Sequence, residues 1–220
     1  MSAEPTLARR LSAEALGTGL LVATVVGSGM MAERLTNDDA LALLANTLPT
    51  GAMLVVLVTI LSPVSGAHLN PAVSLVFALR HQLAWPAMAA YLLAQVCGAI
   101  AGTALAHLMF GAPVVEASSH VRTGLAQWTS EGVATFGLIA AILGGLTTRP
   151  VAVPWLVGLY ITAAYWFTAS TSFANPAVTI ARALTDSFSG IRPIDVPAFV
   201  VAQLAGALLS AVLVGWLVRE

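Results

Sequence analysis

Two asparagines that each precede a proline have the most distinctive chemistry in this chain. Asn70 lies in Ser-Gly-Ala-His-Leu-Asn-Pro-Ala-Val-Ser, and Asn175 lies in Ser-Phe-Ala-Asn-Pro-Ala-Val-Thr. This pattern is typical of a helix start, because the asparagine oxygen caps free backbone N–H groups and proline suits the first turn. Two such ends in one cavity would present positive dipole ends and free amide NH2 donors. Such a site disfavours cations and can exchange hydrogen bonds with neutral hydroxylated solutes.

Two glutamates form a second matched pair. Glu14 stands in Ala-Glu-Ala-Leu-Gly-Thr and Glu131 in Ser-Glu-Gly-Val-Ala-Thr, both within apolar sequence. A carboxylate inside a membrane is often functional, for example as a proton relay. The matching positions favour another interpretation, in which each carboxylate accepts hydrogen bonds from the irregular segment before a capped helix and braces it.

The composition predicts an integral membrane protein. Hydrophobic residues make up 58% of the 220 residues and charged residues only 9%, against roughly 25% charged residues in soluble domains. The net charge is −1 and the chain has no lysine. Nucleic-acid binding and a polybasic lipid-binding segment are therefore not expected, and the expected surroundings are a lipid bilayer.

Six apolar segments are near the length of about 20 residues that crosses a bilayer. They cover residues 11–31, 43–62, 86–109, 128–147, 151–170 and 197–218. The helices predicted at 70–79 and 175–184 are too short to span, and their length suits re-entrant half-helices. The irregular backbone before them, at 62–69 and 171–174, is tolerated at membrane depth only where protein or a wet cavity surrounds it. We therefore expect a cavity.

The order of elements repeats within the chain. Each half contains the Glu segment, two further spans and one half-helix, and Ala-Gln-Val-Cys-Gly-Ala at Gln95 resembles Ala-Gln-Leu-Ala-Gly-Ala at Gln203. Three spans per half is an odd number, so the second half is inverted relative to the first. We predict an all-α membrane protein with six transmembrane helices and two half-helices. It comprises a first inverted repeat at 1–110, a connecting loop at 111–127 and a second repeat at 128–220, together forming one channel domain.

Loop charges favour cytoplasmic N- and C-termini by a small margin. In that orientation five arginines lie inside and four outside, and cytoplasmic loops are the more positive ones. The inner set is Arg9, Arg10, Arg80, Arg149 and Arg219, with Glu4 and Glu220; the outer set includes Arg34, Arg122, Arg182 and Arg192. The predicted location is the plasma membrane, as a multi-pass protein of a bacterial inner membrane.

The paired motifs resemble the aquaporin, or major intrinsic protein, family over nearly the whole chain. The resemblance implies a passive channel for water and small neutral solutes, with Asn70 and Asn175 at the constriction and no cofactor. It also implies a homotetramer with one pore per subunit, and Glu14 and Glu131 as supports of the pore loops. The backbone carbonyl of His68 is expected to line the pore. No metal site is expected, because the other histidines are scattered at 81, 107 and 120.

The resemblance also locates a selectivity filter, where this chain departs from the family. Members usually carry an arginine one turn into the second half-helix and an aromatic residue before the first motif. By spacing, the four filter positions here are Thr50, Ala163, Ser172 and Val178. None is charged or aromatic, so we expect a wide filter that admits glycerol, urea or the neutral hydroxide of trivalent arsenic. Such a filter resembles that of a bacterial subgroup associated with arsenic resistance.

Arg182 leaves two interpretations open. It follows Val178 by four residues and so shares its helix face. It would either add positive charge to an outer vestibule or face solvent and lipid headgroups.

Other functions fit the sequence less well. A secondary transporter with inverted repeats needs coupling-ion ligands, and no Asp or Glu lies beside either Asn-Pro-Ala. A pore that leaks ions after loss of the filter arginine is opposed by the central dipoles. An enzyme is not expected, because no nucleophile and base, cofactor loop or metal cluster stands out.

Overall fold

Within residues 5–217, the part of the chain that the computed structural model describes, the backbone forms eight α-helices and no β-strand. They are α1 (Leu7–Leu35), α2 (Asp39–Ser65), α3 (Pro71–Leu79), α4 (Trp85–Phe110), α5 (Leu125–Thr148), α6 (Val153–Phe167), α7 (Pro176–Arg182) and α8 (Val196–Leu217). Short 3-10 turns at Pro150–Ala152 and Pro193–Asp195 lead into α6 and α8. All helices except α3 and α7 are long and apolar enough to cross a membrane, α6 together with its preceding turn.

The predicted six spans and two half-helices are confirmed, but several ends differ. Helix α1 begins earlier than residue 11, because the Thr6 hydroxyl caps the Arg9 N–H at 3.4 Å. Helix α2 begins earlier than residue 43, because the Asp38 carboxylate accepts from the Leu41 N–H at 2.9 Å. Polar caps of this kind extend helices beyond the apolar core that hydrophobicity detects. Helices α6 and α7 end sooner than predicted, at Phe167 and Arg182.

Some residues used in the predictions lie outside the described part of the chain. They are Glu4, Arg219 and Glu220 from the charge count, and the last residue of the predicted span 197–218.

The two halves pack their helices in the same way. Helix α1 packs along α4 and α2, and α5 correspondingly packs along α8 and α6. The halves meet where α2 contacts α6, and each half-helix reaches the opposite half: α3 contacts α8, and α7 contacts α4 and α1. This arrangement brings the two half-helices into contact with each other in the interior.

Glycines allow the main helix pairs to approach closely. A Cβ atom added to Gly98 on α4 would lie 2.2 Å from the Ala15 carbonyl oxygen on α1. The same atom on Gly206 of α8 would lie 2.1 Å from the Gly132 carbonyl oxygen on α5. Neither distance is sterically possible, so both crossings require a residue without a side chain.

The interior contains polar side chains within an apolar core, and the outer surface is apolar. Completely buried side chains include Glu14, Gln95, Glu131 and Gln203. Large aliphatic side chains such as Leu93, Val201 and Val212 are instead more than 60% exposed on the outer surface. Lipid tails can pack against that outer surface, whereas the buried polar groups need hydrogen-bond partners within the protein.

Candidate functional site

Each Asn-Pro motif begins a half-helix as the sequence predicts. The Asn70 side-chain oxygen accepts from the Ala72 N–H at 2.9 Å, and α3 starts at the following proline. The Asn175 oxygen accepts from the Ala177 and Val178 N–H groups at 3.0 and 3.3 Å, and α7 starts likewise. The positive ends of both helices therefore meet in the interior.

The two asparagine amides also bind the opposite loop, which the sequence did not reveal. Asn70 Nδ2 donates to the Ala174 carbonyl oxygen at 2.7 Å, and Asn175 Nδ2 donates to the Leu69 carbonyl oxygen at 2.8 Å. The expectation of NH2 groups entirely free for the cavity was therefore wrong. An amide has two hydrogens, so each asparagine keeps one donor after tying the half-helices together.

Glu14 holds the loop before α3. Its Oε1 atom accepts from the Ser65 hydroxyl at 2.7 Å and the His68 N–H at 2.9 Å. Its Oε2 atom accepts from the Leu69 N–H at 2.6 Å and Gln95 Nε2 at 2.8 Å. With both oxygens engaged by fixed donors, this pattern favours a brace over a proton relay.

Glu131 makes the same contacts in the second half. Oε1 accepts from the Ser170 hydroxyl at 2.6 Å and the Phe173 N–H at 2.9 Å. Oε2 accepts from the Ala174 N–H at 2.9 Å and from Gln203 Nε2. Each glutamate thus binds the backbone N–H groups of the two residues immediately before its asparagine cap.

The braced loops have strained backbones. Ala67 and Leu69 have φ values of 49° and 51°, and their counterparts Ser172 and Ala174 have 50° and 48°. Left-handed conformations cost non-glycine residues roughly 1–2 kcal/mol each. The carboxylate hydrogen bonds compensate by fixing the intervening N–H groups. Four cavity-lining residues keep carbonyl oxygens that receive no hydrogen bond from residues 5–217: Ala67, His68, Ser172 and Phe173.

His68 lies where two cavities adjoin. Its ring Nδ1 is 3.1 Å from the Ser74 hydroxyl, and the ring centroid is 4.5 Å from that of Phe77. His68 lines both a narrow central cavity of about 60 Å³ and a wider one of about 500 Å³. Among residues 5–217, no group of three or more His, Cys, Asp or Glu side chains could hold a metal ion.

The narrow cavity contains both asparagines and runs past them on either side. A volume of about 60 Å³ admits a file of several small molecules, since one water needs about 10–15 Å³ on the same measure. One wall is aliphatic and consists of Leu21, Val25, Leu54, Val58, Leu138, Ile142, Val157 and Ile161. The four loop residues with unpaired carbonyls line the same space, so the cavity has an aliphatic wall and a wall formed by the pore loops.

Three of the four predicted filter residues line this cavity, and one does not. Thr50, Ser172 and Val178 are buried in its lining. Ala163 is exposed on the outer face of α6 and is absent from the lining. The reason is helix phase: Ile161 and Tyr165, one turn apart, face the cavity, and a residue midway between them points about 160° away.

Tyr165 takes the place expected of Ala163. Its hydroxyl donates to the Thr50 hydroxyl at 3.4 Å, and both residues line the cavity. Phe173 is also part of the lining. The expectation of a filter without aromatic side chains was therefore wrong. Counting along α6 gave Ala163, whereas the residue that lines the cavity is Tyr165, two positions later.

Arg182 also lines the cavity and is 1% exposed. Its Nε donates to the Ser189 carbonyl oxygen, and its guanidinium carbon lies 3.3 Å from the centroid of the Phe173 ring. The interpretation of an arginine facing solvent or headgroups was wrong. The segment after α7 folds back and brings Ser189 over the arginine, which helix spacing alone does not reveal.

Arg122, in the loop between the halves, is a structural residue that sequence reasoning missed. It donates to the carbonyl oxygens of Gly190 at 2.7 Å, Ser170 at 3.2 Å and Phe188 at 3.3 Å. Burial lowers the pKa of the Arg122 guanidinium, yet an arginine keeps its charge at neutral pH. Nearby, the N–H and hydroxyl of Ser119 donate to Asp186 and hold the pKa of that carboxyl below its usual range.

Comparison with known proteins decides the family. The family described as Major intrinsic protein matches residues 1–153 and 144–220. The chain belongs to this family. This major intrinsic protein is 68% identical over 213 residues to aquaglyceroporin AqpS of Rhizobium meliloti (strain 1021), covering 97% of this chain and 91% of the relative. It is 27% identical to aquaporin NIP1-1 of Zea mays over 211 residues, covering 92% and 72% of the two chains.

A solved structure has the same fold. The X-ray structure of the aquaglyceroporin from Plasmodium falciparum superposes with a TM-score of 0.69 over 97% of this chain and 99% of that one, at 22% identity. This major intrinsic protein is a multi-pass membrane protein, a passive channel for water and small solutes, and not an enzyme.

Proposed function

We propose that this pore conducts uncharged solutes larger than water, of the size of glycerol and urea. The observation that carries the proposal is Val178, which lines the narrow cavity where an arginine would narrow it. Thr50 and Ser172 are the other small side chains in this part of the lining. Tyr165, Phe173 and Arg182 also line the cavity, and the three smaller side chains leave room beside them for a solute with a carbon backbone.

The lining suits solutes with one polar and one apolar edge. The loop carbonyls and the hydroxyls of Thr50, Tyr165 and Ser172 offer hydrogen bonds, and the aliphatic wall offers none. A polyol that turns its hydroxyls to the loops and its carbons to the wall replaces its hydration at low cost. The neutral hydroxide of trivalent arsenic has the same size class and hydroxyl chemistry, and we propose it as a further solute. The AqpS relative is an aquaglyceroporin, which supports the polyol class.

Asn70 and Asn175 form the proposed constriction against ions. Their capped helices direct two positive dipole ends at one point, and each amide keeps a donor there. A cation loses hydration at this point without finding acceptors on the helix ends, whereas a neutral solute exchanges one set of hydrogen bonds for another.

We also propose the finer organisation. The halves are inverted repeats at 1–110 and 128–220 joined by 111–127, and the channel is a homotetramer with one pore per subunit. It lies in the bacterial inner membrane with both termini cytoplasmic. The repeated helix order and packing support the repeats, and the arginine distribution supports the orientation.

The test is a stopped-flow solute panel on purified protein in liposomes. Water, glycerol, urea and arsenite influx are compared with those of empty liposomes and of liposomes with a known water-selective channel of the same family. We expect influx of water and of the three solutes to be faster than in empty liposomes. No solute should accumulate beyond the concentration that its imposed gradient allows. Water flux with no uptake of glycerol or urea would contradict the proposal, and uphill accumulation would favour a secondary transporter.

A further inference from the structure

Val178 and Arg182 are cavity-lining residues of α7 with different chemistry, one aliphatic and one cationic. They lie four residues apart on α7 and line the same cavity. One turn of helix separates them by roughly 6 Å along the axis. Positive charge is therefore present in this cavity, but not at the level of Val178.

The Arg182 guanidinium is only partly engaged by the protein. Nε donates to Ser189, and the planar group stacks on Phe173. Nη1 is buried and has no hydrogen-bond partner among residues 5–217. The hydroxyl oxygen of Ser172, which lines the same cavity, is also buried without a partner there. Unpartnered buried polar atoms are costly, so these two groups find their partners in the cavity contents.

Arg122 makes the contrast clear. It also contacts Phe173, with its guanidinium carbon 5.0 Å from the ring centroid. However, Arg122 gives Nε, Nη1 and Nη2 to three backbone carbonyls and does not line the cavity. Arg122 therefore holds the loops, whereas Arg182 presents unused N–H groups to the pore.

Arg182 is not neutralised by a neighbouring acid. In the described residues no carboxylate oxygen lies within 4.0 Å of its guanidinium. Glu131, a buried acid in the same half, is already occupied by four donors of the loop and of Gln203. The guanidinium therefore lines the cavity without an ion-pair partner, and Glu131 acts on it only as a more distant charge, in surroundings where water screens charges poorly.

We propose, on the basis of the solute channel proposed above, that Arg182 is the charge barrier of this pore. It repels cations one turn away from Val178, so the filter stays wide where the side chains are small. Size selection then belongs to Val178 with Thr50 and Tyr165, and charge selection belongs to Arg182. The separation explains how a filter without arginine at position 178 excludes ions.

The test compares cation conductance of the wild type with Arg182→Gln and Arg34→Gln in planar bilayers. Arg34 is a matched control, because it also stacks on a phenylalanine and donates to a backbone carbonyl, both of Phe110, away from the cavity. We expect R182Q to raise sodium and potassium conductance roughly tenfold or more and R34Q to leave it unchanged. Water and glycerol uptake measured alongside shows whether each pore is intact.

The double variant V178R/R182Q restores a guanidinium on α7 at position 178, one turn before position 182. We expect it to return cation conductance to the wild-type level while reducing glycerol flux. Wild-type conductance in R182Q, with water flux intact, would overturn the inference. It would leave the solute channel standing, because that depends on the wild-type uptake panel.

If R182Q does not purify as folded protein, R182K provides the test. Burial lowers the pKa of a lysine below its usual value of about 10.4, by up to several units, whereas arginine keeps its charge. We expect cation conductance of R182K to rise as the pH is raised from about 5 to 10, and that of the wild type to stay low. The neighbouring titratable groups Arg122, Glu131 and Tyr165 are present in both proteins, so the difference reports residue 182. A flat response in R182K would overturn the inference.

Discussion

At the scale of single residues, the pore depends on small side chains that set its width and on asparagine side chains that bind both halves of the chain. Val178 is buried in the cavity lining, and its backbone N–H is already used by the Asn175 cap. Its side chain is therefore free to set the width without disturbing the helix start. The neighbouring cap residue has two functions, since Asn175 also binds the loop of the opposite half.

Val178→Arg should reduce glycerol and urea flux while sparing water. The added side chain fills the space beside Thr50 and Tyr165, and loss of a close fit for a small solute costs roughly tenfold or more. Stopped-flow uptake by proteoliposomes measures both fluxes. Val178→Thr keeps the volume and should keep glycerol flux, so equal glycerol uptake by V178R and V178T would remove this position from the filter.

Asn175→Asp should raise cation leak. A carboxylate cannot donate to the Leu69 carbonyl oxygen, and it places negative charge where two positive dipole ends meet. Bilayer conductance measures the leak. Asn46→Asp is the control, because Asn46 Nδ2 also donates to a buried carbonyl, that of Val25 at 2.7 Å, outside the cavity lining. An equal conductance in both variants would argue against the central dipoles as an ion barrier.

At the scale of helices, the pore loops are held in place by contacts between long helices. Glu14 on α1 and Gln95 on α4 bind each other only because Gly98 lets these helices approach. Glu131 on α5 and Gln203 on α8 have the same relation through Gly206. Helix spacing therefore controls loop geometry.

Gly206→Leu should destabilise the protein strongly. Its Cβ would lie 2.1 Å from the Gly132 carbonyl oxygen, which forces α5 and α8 apart and separates Gln203 from Glu131. Overpacking of this kind typically costs about 1–3 kcal/mol and here breaks the brace as well. Gly144→Leu on α5 is the control, because nothing lies within 4 Å of its added Cβ. The thermal aggregation midpoint in detergent measures the effect, and similar midpoints for the two variants would refute it.

At the scale of the whole molecule, the sequence predicts what is local or repeated. The half-helix starts follow from Asn-Pro, and the spans follow from apolar length. The position on α6 that faces the cavity does not follow from counting residues, because a shift of two residues turns a side chain to the lipid, as with Ala163 and Tyr165. The burial of Arg182 depends on how the segment after α7 folds back, and backbone paths of irregular loops leave no periodic signal.

The loop between the halves illustrates the same limit and allows a test on the whole molecule. The sequence predicts a connecting loop at 111–127 but not its contacts, and Arg122 joins this loop to the carbonyl oxygens of Ser170, Phe188 and Gly190. Its backbone N–H also donates to Asp195 at 2.9 Å, at the start of α8. Arg122 thus ties the connecting loop to the segments on either side of α7 and to the turn before α8.

Arg122→Met should lower thermal stability while leaving cation exclusion intact. Three hydrogen bonds from a charged group are lost, each worth about 1.5–3 kcal/mol before partial compensation by water. A net loss of about 3 kcal/mol corresponds to a fall in Tm of roughly 6–12 °C for a chain of this size. The control is Arg149→Met, since Arg149 is exposed and should leave Tm within a degree or two. Because Arg182 and not Arg122 lines the cavity, a rise in cation conductance in R122M at temperatures below its Tm would mean that charge exclusion depends on loop anchoring as well as on the cavity-lining guanidinium.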